Sequence, residues 1–143
     1  MVGEEYGVKY SPSESVPTGL SSTSLQGLKS LIDFVQVVWS DYTNTTRCRV
    51  LPWAYFAKNM QSSRPGVSIA KVVLLLVDLQ HPDGYGPEGE WHLAIDLSTI
   101  RLCPYQERTA IVMGYFQEKW PAILENPSAS PHDPRSILRR IVE

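Results

Sequence analysis

The stretch Val35-Gln36-Val37-Val38-Trp39-Ser40-Asp41-Tyr42-Thr43-Asn44-Thr45-Thr46-Arg47-Cys48-Arg49-Val50-Leu51-Pro52 alternates, pauses and alternates again. From about Phe34 onward, Val35, Val37 and Trp39 fall on one face of an extended chain, with Gln36, Val38 and Ser40 on the other. That two-residue repeat marks a strand. Asp41-Tyr42-Thr43-Asn44-Thr45 reads as a turn, because Asn tolerates a positive φ better than most non-glycine residues. Between Thr46 and Leu51 the alternation returns, with Cys48 and Val50 on one side and Arg47 and Arg49 on the other. Together the three pieces predict a β-hairpin.

Working outward, residues 1–22 are rich in Ser, Pro, Gly and Glu and carry no apolar period. They are expected to form a disordered tail, since they cannot bury enough surface to offset the entropy of ordering. Thr23 and Gln26 have capping-box spacing. Leu25, Leu28, Leu31, Ile32 and Val35 follow at helical intervals, which predicts a helix leading into the hairpin. On the other side, Pro52 suits the first turn of a helix, and Trp53, Phe56, Ala57 and Met60 form one apolar stripe that residues 62–66 break. Val72-Val73-Leu74-Leu75-Leu76-Val77 reads as a buried strand, being β-branched and too short for a good helix. His81-Pro82-Asp83-Gly84-Tyr85-Gly86-Pro87 reads as a loop. Strands are expected at residues 91–95 and 109–115, with a short extended piece at 100–103 between them. A mixed sheet with few helices is the α+β class.

Pro121, Pro127, Pro131 and Pro134 mark an irregular linker. Asp133 as N-cap and Pro134 at the first helical position then open the amphipathic run Arg135-Ser136-Ile137-Leu138-Arg139-Arg140-Ile141. A helix of about ten residues is marginal by itself in water, so Ile137, Leu138 and Ile141 are expected to need a partner surface. The expected division is a tail at 1–22, a folded domain at 23–120, and a linker with the first helix of a further domain at 121–143.

Composition removes several function classes. The 143 residues are 43% hydrophobic and 20% charged, a balance suited to one core. Net charge is −2, from 13 basic and 15 acidic side chains, and no basic stripe of the kind that binds nucleic acid is visible. No apolar run approaches the ~20 residues that span a bilayer, so no membrane partner is expected. The N-terminus has no apolar signal region. The two cysteines, Cys48 and Cys103, match neither a disulfide framework nor a metal motif, which makes a reducing, cytoplasmic setting the simplest expectation. His81, His92 and His132 fit no metal-ligand spacing. Gly84-Tyr85-Gly86 is too short for a phosphate cradle. Trp39, Trp53, Trp91 and Trp120 read as core or interface anchors. No Ser/His/Asp, Cys/His or paired-carboxylate constellation stands out.

Three segments, taken in order, resemble the glutamine synthetase family. Trp39 to Pro52 is similar to the family's opening hairpin, Asp-x-x-Gly-x-x-Arg-x-(Arg)-x-x-Pro, with Asn44 in place of Gly. Leu93-Ala94-Ile95-Asp96-Leu97-Ser98-Thr99 is similar to its Leu-x-Pro-Asp-x-Ser-Thr strand and turn, with Ile95 in place of Pro. Asp133-Pro134-Arg135-Ser136-Ile137-Leu138-Arg139-Arg140 is similar to the Pro-Arg-x-x-Leu-(Lys/Arg)-Arg start of the catalytic domain. The resemblance covers residues 28–143 and has the flavour of the larger, fungal glutamine-synthetase-like proteins. It implies a β-grasp (ubiquitin-like) fold, a mixed sheet with one or two packed helices.

The family joins glutamate and ammonia at the expense of ATP through a γ-glutamyl phosphate, with Mg or Mn assisting. The resemblance places its metal ligands and phosphate-binding arginines in a catalytic domain absent from these 143 residues. The chain is therefore expected to be inactive alone and to hold no cofactor or metal. It implies a role in nitrogen metabolism, with that catalytic domain or a neighbouring subunit as partner in an oligomer. In the family's assembled ring the N-terminal domain closes the neighbour's site and offers an acid near the ammonium. Glu90 aligns best with that acid; read without the resemblance, it is a solvated loop carboxylate. Asp83 and Glu88 flank the same loop, and residues 78–90 match the family poorly. Asp41 and Arg47 are expected to pair across the hairpin as an exposed ion pair, and Asp96 to shape its own turn with Ser98 and Thr99. A free-standing, non-catalytic β-grasp module that binds a partner through an open sheet edge is the alternative the residues leave open.

Overall fold

The computed structural model describes residues 30–76, 80–83, 86–120 and 130–142. The hairpin forms as the alternation requires: β1 (Phe34–Ser40) and β2 (Thr46–Pro52) pair antiparallel from Phe34↔Pro52 to Ser40↔Thr46. Asn44 takes φ 60° in the turn, the left-handed conformation that Asn enters at low cost. Helix α1 (Trp53–Asn59) follows directly, with Pro52 as its N-cap and still the last residue of the strand. Next come β3 (Gly66–Ala70), a 3₁₀ turn at Lys71–Leu74, β4 (Glu90–Leu102), β5 (Thr109–Glu118) and α2 (Pro134–Val142). The sheet runs β2-β1-β5-β4-β3. β1 and β5 are parallel and the other pairs antiparallel, which gives the mixed sheet of the expected α+β, β-grasp-like architecture.

Alternation along each strand builds one apolar face. Val35, Val37 and Trp39 of β1 line up with Leu51, Ala110, Val112, Phe116, Trp91, Leu93, Ile100, Val67 and Ile69. Trp53 and Phe56 of α1, together with Ile32 and Leu74, complete this core. Phe116 is fully buried, with Trp39 and Trp91 edge-on to it at centroid distances of 6.0 and 6.5 Å. Burying such a side chain stabilises the fold by ~1.5–3 kcal/mol.

Two expectations change. The apolar run after Ala70 does not form a strand: Lys71–Leu74 coils into a 3₁₀ turn, and Val77 lies outside the described residues. The third strand is instead Gly66-Val67-Ser68-Ile69-Ala70, paired with residues 90–94. Its two inward side chains suffice for an edge strand, while the turn drives Leu74 fully into the core. The extended piece at 100–103 is not separate either. β4 is continuous through it, with a register shift against β5 between Asp96 and Arg101. Of the helix expected from Thr23, residues 23–29 lie outside the described part; Ser30 and Leu31 form a turn and Val35 belongs to β1. The tail at 1–22 and the linker residues 121–129 also lie outside it.

The C-terminal segment is fixed to the sheet by a specific shortfall. β1 pairs with β5 only as far as Val38↔Met113, so Phe116 further along β5 has a backbone N–H and C=O with no strand on that side, and buried backbone groups need partners. Residues 130–133 provide them. Ser130 N–H donates to Phe116 O at 2.7 Å, and Phe116 N–H donates to Asp133 Oδ1 at 2.9 Å. The other oxygen of Asp133 accepts from Ser136 N–H at 2.7 Å, capping α2 as expected. Arg135 adds an ion pair to Asp96 at 2.6 Å. The helix is thus rooted at its N-terminus, while Leu138, Ile141 and Val142 remain 62%, 76% and 77% exposed.

Because Asp133 is 2% exposed and serves two elements at once, Asp133→Ala is expected to lower stability by about 2–3 kcal/mol. Urea unfolding at unchanged m-value checks this, and Asp133→Asn, which keeps one acceptor, should lose less.

Candidate functional site

Glu90 opens β4, and what precedes it decides how it is held. Gly89 has φ 84°, a conformation costly for side-chain-bearing residues, and its carbonyl accepts from Lys71 N–H at 3.2 Å. The chain therefore enters β4 pinned against the 3₁₀ turn. Trp91↔Glu118 pairing then places Lys119 across from Glu90. Lys119 Nζ lies 3.4 Å from Glu90 Oε2, with the carboxylate side chain 55% exposed and the lysine 25%. Lys71 Nζ sits 4.6 Å from the centre of the Trp91 ring, a cation–π contact. Glu118 accepts from Ser130 Oγ at 3.3 Å. Lys71, Gly89, Glu90, Glu118, Lys119 and Trp120 surround a cleft of about 380 Å³, with Trp120 85% exposed at its rim.

This cleft contains two ammonium groups and two carboxylates. It can attract a small cation at Glu90 only in competition with Lys119, the charge already there. Asp83 and Glu88 are exposed and are not part of the described lining. The sequence reading singles out Glu90 and neither Lys119 nor Lys71, which the β4–β5 register and the turn after β3 bring beside it; local periodicity reveals neither.

The other residues singled out from the sequence have structural positions. Asp41 and Arg47 do pair, at 2.6 Å, but not as an exposed ion pair: the Asp41 side chain is wholly buried and that of Arg47 is 28% exposed. Asp41 Oδ1 accepts from Thr43 N–H, Thr43 Oγ1 and Thr45 N–H at 2.9, 2.7 and 2.9 Å. Asp96 Oδ1 accepts from Ser98 N–H and Oγ at 3.2 and 2.6 Å, and Thr99 Oγ1 donates to Asp96 O at 2.7 Å, the expected turn at the β4 irregularity. His92 is buried on the sheet and His132 lies against Trp91, ring centres 6.1 Å apart. Among the described residues no three His, Cys, Asp or Glu side chains are grouped to hold a metal ion. No helix among them is long and apolar enough to cross a membrane.

No protein-family model and no curated protein matches the chain. Solved structures do. A structure described as a GmaS/ADP complex, conformation 1, superposes with a TM-score of 0.59 at 16% identity, over 87% of this chain and 24% of that one. A structure of apo GmaS without ligand gives 0.57 at 16% identity, over 81% of this chain and 24% of the other. The chain thus shares the fold of a region of GmaS and spans about a quarter of its length.

Burial alone would raise the pKa of Asp41, but the Thr43 hydroxyl, the Arg47 guanidinium and the amides of Thr45 and Thr43 outweigh it and hold the carboxyl below its ordinary 3.8. A depressed folded-state pKa means stability present above the unfolded value and lost as pH falls through the folded one. Asp41→Asn should therefore be less stable than the parent at pH 7. That gap should narrow as pH falls below 3.8, which paired thermal-unfolding scans across pH will show.

Proposed function

We propose that this chain is the N-terminal β-grasp domain of a glutamine-synthetase-like protein, and that it helps complete the active site of a neighbouring subunit and is not catalytic alone. The observation that carries this reading is the convergence of the three family-like segments. The hairpin turn and the opening of α2 line one cleft of about 480 Å³, among them Trp39, Asp41, Asn44, Asp133 and Arg135. Tyr42 Oη donates to His132 O at 2.5 Å, and Arg135 binds Asp96 in the second segment at 2.6 Å. Residues far apart in sequence thus form one structural junction, on a fold shared with a region of GmaS, itself glutamine-synthetase-like.

In this reading residues 23–120 are the β-grasp domain, residues 121–143 lead through a linker into the first helix of a catalytic domain, and the open apolar side of α2 meets that domain. The assembled protein is a cytoplasmic oligomer of nitrogen metabolism. ATP and Mg or Mn would be held by the catalytic domain. Glu90 is the carboxylate on the ammonium side: exposed at the start of β4, it would draw the cation and help deprotonate it once Lys119 turns away.

Purified alone and given ATP, glutamate, ammonium and Mg²⁺, the chain is expected to yield no γ-glutamyl product; measurable turnover would overturn the assignment. In a full-length protein containing this domain, Glu90→Gln should raise the ammonium KM about tenfold, the scale of one charged hydrogen bond, and leave ATP binding unchanged. An unaltered ammonium KM would remove Glu90 from the site.

A further inference from the structure

A separate cleft lies on the other side of Lys119. Its volume is about 660 Å³, and its lining runs from Arg49–Pro52 of β2 past Tyr55 of α1 to Gly66, Val67 and Ser68 of β3, with His92 and Lys119. That size suits a small molecule. The polar side chains facing it are Arg49, Tyr55, Ser68, His92 and Lys119, with no carboxylate in the described lining. This is notable in a chain whose net charge is −2.

The donors are available. Arg49 is exposed on β2, and among the described residues its guanidinium, the Tyr55 hydroxyl and the Ser68 hydroxyl form no side-chain hydrogen bond or ion pair. His92 is 8% exposed, and its buried Nε2 has no hydrogen-bond partner. Its pKa is lowered, first by burial and then by the charges of Arg64 and Lys119, against a backbone hydrogen bond at Pro65 that raises it. Arg64 is occupied, donating to Gln117 Oε1 and to the carbonyls of Glu118 and Lys119. Glu90, across from Lys119, is the one described acid in ion-pair contact with this group. A recess with an unpaired guanidinium on one wall, a free hydroxyl and an ammonium on the other, and no carboxylate in its described lining is the electrostatic form of an oxyanion site.

We propose that this cleft binds a small multiply charged oxyanion, phosphate- or carboxylate-bearing, held between Arg49 on one wall and Lys119 and Ser68 on the other. The proposal does not rest on the family reading, because it uses only this cleft and its charges. Calorimetric titration of the purified chain with inorganic pyrophosphate and, separately, with citrate tests it and distinguishes the two sources of negative charge. Saturable binding of either is expected, weakened about tenfold by Arg49→Gln and likewise by Lys119→Gln. Lys58→Gln, on α1 outside the described lining, should bind as the parent does. Far-ultraviolet circular dichroism confirms that the variants fold, as expected for changes at surface-reaching side chains. No saturation by either anion into the millimolar range overturns the proposal. So does binding that survives Arg49→Gln, or that falls equally in Lys58→Gln, since that pattern is unspecific charge attraction.

Discussion

The carboxylate of Asp41 accepts hydrogen bonds from Thr43 N–H, Thr43 Oγ1, Thr45 N–H and Arg47 Nε, and two segments distant in sequence are tied to the turn it organises. The turn it organises sets the β1–β2 register, and thereby which side of β2 faces the core. Arg47 extends the network by donating to Leu76 O at 3.1 Å. Tyr42 N–H donates to Leu74 O at 2.9 Å, and its hydroxyl to the carbonyl of His132. The exit of the 3₁₀ turn and the start of the C-terminal segment are both tied to one hairpin loop. A buried ion pair by itself is a doubtful stabiliser, because desolvating each ion costs several kcal/mol. Here the carboxylate is saturated with donors, two of them backbone amides, so burial leaves little of its hydrogen-bonding capacity unmet.

What the sequence shows of this arrangement depends on how local each cause is. The hairpin is legible because its period, its turn residues and its cross-turn pair lie within Phe34–Ser40, Thr46–Pro52 and the residues between them. The cap on α2 is legible for the same reason: Asp133 and Pro134 are adjacent to what they organise. Asp133's second bond, to Phe116 N–H, is not, because it follows from where β1 stops running beside β5. The third strand was hidden by a stronger apolar signal just downstream. Only pairing with residues 90–94 shows that Gly66–Ala70 is the strand. Gly66 is needed there sterically: a Cβ would fall 2.4 Å from His92 Nε2, so β3 packs this closely on β4 only where a glycine stands. The exposed helix face of Leu138 and Ile141 was readable from helical spacing. The firm attachment of that helix at its first turn was not.

The candidate site was legible as one residue and not as a site. Glu90 could be singled out by alignment, yet its electrostatics belong to Lys119, which register brings to 3.4 Å. At such separations opposite charges interact with ~1 kcal/mol in water and ~4 kcal/mol at the effective dielectric of a protein surface. For a pair this exposed the net hold is at most ~1 kcal/mol, so an approaching cation would compete with Lys119 on nearly even terms. A fold carries many chemistries, and the side chains at the site decide among them.

Lys119 is also what joins the two clefts. It lines the one beside Glu90 and the larger one facing Arg49, and a flexible lysine stem lets one ammonium serve either side. Turned toward Glu90, it neutralises the carboxylate and leaves Arg49 to face the larger cleft with less support. Turned toward an oxyanion there, it leaves Glu90 as an uncompensated carboxylate at the start of β4. The same charge cannot satisfy both at once, so negative charge in the larger cleft and free acidity at Glu90 favour each other. Such a coupling needs no movement of the backbone, only of one side chain between two partners. Its sign follows from linkage: whatever draws Lys119 away from Glu90 strengthens the hold of Glu90 on a cation.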